Sequence, residues 1–152
     1  MIDSYPDEFL RGIPNASENF ITPEGYPTQA VFNFDEYNKE RIDGFCELSI
    51  NWLDDEGAIQ VLMNQINPRK NTFQFQGGYC RLSRFELHSL RDYFSNGHLS
   101  YERRPIEDNG INGPNKYHGN ILMKNDLSGQ AKVNIRVALA VLAGTVIPRS
   151  DK

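Results

Sequence analysis

Cysteine is scarce in this chain of 152 residues: Cys46 and Cys80 are the only two, and they stand far apart. Their separation excludes the paired ligand spacing of a zinc site and leaves two reduced, buried thiols as the expectation. Long apolar runs are missing as well, and none approaches the roughly 20 residues that a membrane-spanning helix needs. The opening MIDSYPDEFL has neither the basic head nor the apolar stretch of a secretory signal. A cytoplasmic protein with no membrane association is expected. No phosphate loop, zinc knuckle or nucleophile elbow occurs, and there is no internal repeat or low-complexity tract, so no cofactor and no metal site is expected.

Basic residues are scarce in one part only. Met1 to Gln60 carries thirteen acidic residues against three basic, whereas Val61 to Lys152 carries seven against thirteen. Minus ten therefore faces plus six, although the whole chain sums to minus four. An anionic group is expected to meet the second part, and the overall acidity argues against nonspecific nucleic-acid binding. Asp54-Asp55-Glu56 resembles an oxygen-ligand source for a divalent cation, but acidic residues opening a helix account for the same letters.

At this length one domain, 1–152, buries about two thirds of its unfolded surface. Residues 1–27 hold four of the eight prolines and little apolar periodicity, which predicts an irregular Pro-rich arm with one helical turn near Asp7 to Leu10. Such an arm would protect a sheet edge. Ala30 to Phe34 and Cys46 to Trp52 alternate apolar with polar residues, the period of half-buried strands. Ala58, Val61, Leu62 and Ile66 have helical spacing. Thr72 to Leu82 reads as strand interrupted at Gly77 and Gly78, and Ser83 with Glu86 caps a helix that places Phe85, Leu87, Leu90 and Phe94 inside.

Leu99 to Ile106 and Tyr117 to Lys124 predict an antiparallel hairpin around a ten-residue loop with two Asn-Gly pairs. Ser128 to Val146 fits either strand or helix. We take helix, with Lys132 and Arg136 as a narrow polar stripe and nearly every other side buried. Together these elements predict an α+β fold: a mixed or antiparallel sheet of about five strands, with two or three helices packed mainly on one face.

The densest cluster of chemistry lies on the 99–124 hairpin. His118 beside Glu102 would form a general-base pair, while Arg103, Arg104, Tyr101, Tyr117, Lys116 and Asn120 supply donors for an anionic ligand. Strand register decides which of them meet. Gly119, between His118 and Asn120, admits either a ligand's close approach or a neighbouring side chain. The leading expectation is a binding or interaction protein, not an enzyme, that docks on another protein chain or on itself through segregated acidic and basic surfaces. The alternative is a small enzyme or ligand-binding domain for a phosphorylated or nucleotide-like molecule, acting through the hairpin cluster.

Overall fold

The computed structural model describes residues 5–36 and 41–149. In chain order these form strand β1 (Glu8–Ile13), a 3-10 turn (Gln29–Phe32), β2 (Phe45–Trp52), helix α1 (Gly57–Met63), β3 (Ile66–Asn67), β4 (Thr72–Phe73) and β5 (Gly78–Ser83). Then follow α2 (Arg84–Leu87), α3 (Arg91–Ser95), β6 (Leu99–Arg103), a second 3-10 turn (Gly110–Asn112), β7 (His118–Lys124) and α4 (Gly129–Leu142). Five strands make one sheet in the order β5-β1-β2-β7-β6, and β3 with β4 makes a separate ribbon. Every neighbouring pair is antiparallel. The class is α+β.

Alternation in β2 sends Cys46, Leu48 and Ile50 into the larger core, where α4 adds Ile135 and Leu139 and α2 adds Leu87. Side chains of α3, among them Tyr93 and Phe94, pack on its margin. The opposite sheet face carries a smaller core of Leu10, Tyr79 and Tyr117 with Ala58 and Leu62 of α1. Strand β1 feeds both, with Phe9 and Ile13 on one side and Leu10 on the other.

This double burial corrects the expected irregular arm over 1–27. A strand buried on both faces loses the alternation that marks a half-buried one, so Glu8–Ile13 gives no strand signal in the sequence, and the helical turn expected near Asp7 to Leu10 is strand instead. Pro6 and Pro14 fall just outside it, where a missing N–H breaks no ladder. Edge protection comes from the other end of the chain: Tyr79 and Ile147 exchange backbone bonds of 3.0 and 2.8 Å on the outer side of β5.

Other local expectations are corrected too. Ala30 to Phe34 is no strand, because the Thr28 hydroxyl accepts from Ala30 N and starts a 3-10 turn that buries Val31 and Phe32. Ser83 caps as expected, accepting from Glu86 N at 3.2 Å, yet the helix ends at Leu87 and resumes at Arg91, leaving Phe85 63% exposed. The tail is helical from its Ser128 cap, but Val137 and Val141 face outward beside the polar stripe. No helix among the described residues is long and apolar enough to cross a membrane.

The charge asymmetry is partly resolved inside the molecule. Glu8–Arg81 at 2.6 Å, Asp54–Arg103 at 2.6 Å and Glu36–Lys132 at 2.5 Å each join a carboxylate of the first part to a cation of the second.

Candidate functional site

Register divides the predicted hairpin cluster between two faces. Glu102 lies opposite Asn120 and Arg103 opposite Gly119, so Glu102, Arg104, His118 and Asn120 share one face, and Tyr101 and Arg103 share the other. Tyr101 belongs to an aromatic group with Trp52, Tyr5 and Phe94, and its hydroxyl meets His88 Nε2 at 2.7 Å. Arg103 grips Asp54 through two bonds of 2.9 and 2.6 Å. Tyr117 enters the smaller core and donates to Asp55 at 2.7 Å, with the exposed Lys116 ammonium 5.2 Å from its ring centre. That bond and the Gly57 N–H hold the Asp55 carboxyl below its usual range. None of these four belongs with His118.

The expected His118–Glu102 pair is also corrected, although the two share a face. Glu102 is engaged by Arg41 Nη2 and by Asn120 Nδ2 at 2.8 Å, with Arg104 at 3.7 Å. Arg41 further bonds Asp43 and Glu47 at 2.7 Å each, so one buried guanidinium gathers three carboxylates. Burial works against its charge, but the Glu47 hydrogen bond and the surrounding carboxylates outweigh that and raise its pKa. His118 instead contacts the Arg104 backbone carbonyl, 2.8 Å from Nδ1. A carbonyl only accepts, so Nδ1 carries the proton and Nε2 presents a lone pair. Burial pulls the imidazole below its ordinary value, against the opposing effect of that carbonyl, which keeps it neutral. Gly119 serves a neighbour: a Cβ there would strike Trp52 Nε1 and the Glu102 carbonyl oxygen.

His118 opens onto a cleft that the hairpin alone does not make. Strands β1 and β2 pair only at Phe9–Trp52 and Leu10–Asn51, whereas β1 follows β5 for six residue pairs and β2 follows β7 for seven. Beyond Leu10 the two strands part. Farther along, β2 takes a new neighbour, with Asp35 N donating to Glu47 O at 2.7 Å. Between these two pairings the Arg11 guanidinium fills the gap, its Nη1 donating to Ser49 O and its Nε to Val31 O, both at 2.8 Å.

The resulting cleft holds about 370 Å³, at the small end of ligand pockets. Arg11, Gly12 and Pro14 form one wall, and Ser49, Asn51 and His118 form the other. Leu62, Gln65, Gln74 and Phe75 roof it from α1 and the β3–β4 ribbon, and Ile106 and Asn109 close it from the hairpin loop. That loop is pinned in place. Asn112 accepts from Ile66 N at 2.7 Å and donates to Ile66 O at 3.1 Å, while buried Asn115 donates to Asn51 at 2.9 Å. Phe75 packs against Gly12, where a Cβ would run into its ring.

Arg11 and His118 are the titratable side chains lining the cleft. Among the described residues no carboxylate lies within ion-pair distance of Arg11, and burial pulls its pKa down to about 10, only partly countered by Cys80. The group remains charged at neutral pH, at a desolvation cost on the order of a few kcal/mol. The side-chain amides of Gln65, Gln74 and Asn109 are half-buried and bond no protein group among the described residues. A cation without an anion, an imidazole acceptor and three free amides thus face one small volume.

Of the predicted residues only His118 lines this cleft. Reasoning from hairpin density missed Arg11, yet the sequence held one signal for it: a lone arginine inside the apolar run Phe9-Leu10-Arg11-Gly12-Ile13, in a part of the chain that has only three basic residues. Among the described residues no group of three or more His, Cys, Asp or Glu is placed to hold a metal ion. No protein-family model matches the chain, and neither a characterised protein nor a solved structure is significantly similar to it.

Proposed function

We propose that this chain is a ligand-binding domain for a small anionic molecule, held in the cleft between β1 and β2. The observation that carries this reading is Arg11: a half-buried guanidinium at the cleft wall whose side-chain bonds go to two backbone carbonyls, with no carboxylate within ion-pair distance among the described residues. An anion there would offset the desolvation and complete a charge-assisted pair. Binding is favoured over catalysis because His118 stands alone. Its Nδ1 is taken by a carbonyl, and among the described residues no carboxylate lines the cleft and no metal-holding cluster occurs, so the Ser49 hydroxyl in the same wall has no carboxylate-oriented base. The proposed compartment is the cytoplasm, supported by two cysteines kept as buried thiols.

Thermal unfolding with inorganic phosphate or small carboxylates in place of chloride tests this reading. The wild-type protein should be stabilised increasingly with anion concentration, logarithmically once the site is largely filled, and Arg11→Met should not respond. Equal response of both would remove the proposal. Docking through segregated charge loses support from the three ion pairs between the acidic and basic parts. A salt-dependent oligomer mass in light scattering would restore it.

A further inference from the structure

We propose that the ligand of this cleft is a monosaccharide bearing one anionic group, a phosphate monoester or a carboxylate. This rests on the small-anion reading above and narrows it by charge, by hydrogen-bonding character and by size.

Charge limits the ligand to one anionic group. Among the described residues Arg11 is the one guanidinium or ammonium lining the cleft, and the imidazole in the other wall is held neutral by burial. A diphosphate or triphosphate would bring charges that nothing there could balance, at a steep desolvation cost.

Hydrogen-bonding character selects hydroxyls for the rest of the molecule. Gln65, Gln74 and Asn109 each offer an amide that both donates and accepts, and a hydroxyl does the same, so either partner can adjust to the other. His118 Nε2 can only accept and would take the proton of one hydroxyl. A largely apolar acid would strand these groups without partners.

Size argues against a nucleotide. Among the described residues Phe75 and the His118 imidazole are the rings in the lining, and Phe75 packs against Gly12. A base would have a stacking face on either ring, so it is size that disfavours a nucleotide: a cleft of about 370 Å³, at the small end of ligand pockets, suits one sugar ring better than a sugar plus a base. The C–H face of a sugar needs only one apolar surface, which Phe75, Leu62 and Ile106 provide.

Calorimetric titration decides this with four probe sets: inorganic phosphate, a panel of hexose and pentose monophosphates, the corresponding uronic and aldonic acids, and AMP. At least one sugar phosphate or sugar acid should bind at least about tenfold tighter than inorganic phosphate and tighter than AMP. Gln74→Leu should weaken that sugar about tenfold and leave inorganic phosphate unchanged. Arg11→Met should abolish binding of all probes. Arg11→Lys, which keeps the charge without the fork, guards against loss through misfolding and should retain weak binding. If inorganic phosphate or AMP binds through Arg11 as tightly as every sugar tested, the sugar assignment is overturned while the small-anion reading stands. If no probe binds in an Arg11-dependent way, both fail.

Discussion

Trp52 donates its indole N–H to the carbonyl oxygen of Glu102 at 3.1 Å, directly over the backbone of Gly119. The bond joins β2 to β6 across β7 and is possible only because position 119 has no side chain. Gly119→Ala should therefore cost about 3 kcal/mol by overpacking and by orphaning a buried donor. Trp52 is the only tryptophan in the chain and is fully buried. Its emission should shift to the red in the variant without denaturant, and urea unfolding should give the loss in stability. An unchanged spectrum and midpoint would show that the sheet yields easily at this point.

His118 should make stability depend on pH in a defined direction. Its folded-state pKa lies below the ordinary 6.5, so as pH falls the unfolded chain takes up a proton first. Stability is then lost from about pH 6.5 down to the folded-state value and is flat below it as far as this group is concerned. His118→Asn can still donate to the Arg104 carbonyl but cannot titrate, so the wild-type-minus-variant difference in urea stability should fall between pH 7.5 and 5.5. A difference that stays constant would mean that the imidazole is not desolvated.

Arg41 is 4% exposed at its side chain and serves Asp43, Glu47 and Glu102 together. Arg41→Met removes the shared counter-ion and leaves three carboxylates close to one another, with Arg104 3.7 Å from Glu102. The expected loss is about 3 kcal/mol in chemical denaturation, smaller at high salt. A loss below roughly 0.5 kcal/mol would place the network among ordinary surface ion pairs.

Both thiols should be inert in the folded protein. Burial pushes Cys80 up to about 12 and Cys46 up to about 11, so almost no thiolate exists near neutrality. Iodoacetamide at pH 8 should add nothing to the native chain over the time in which it modifies both residues in urea, as read by intact mass. Rapid single modification of the native protein would identify an opening of the core at one of these strands.

The amino-acid sequence by itself determined the elements whose signal is local. The alternation from Cys46 to Trp52, the spacing of Ala58 and Leu62, the Ser83 cap and the pairing of residues 99–106 with 117–124 all show in the structure as β2, α1, the start of α2, and the β6–β7 hairpin. Each depends on residues a few positions apart, on one-sided burial or on one capping bond. Tertiary structure decided the rest. Glu8–Ile13 is an inner strand because two cores meet on it, and that double burial erases the period that would have marked it. Register, set by distant strands, parted Tyr101 and Arg103 from His118. Arg11 and His118 line one cleft only because β1 leaves β2 after two residue pairs. The convergence on one cleft of residues 107 positions apart leaves no local pattern, since it is fixed by the packing of the whole sheet and not by the preferences of either neighbourhood.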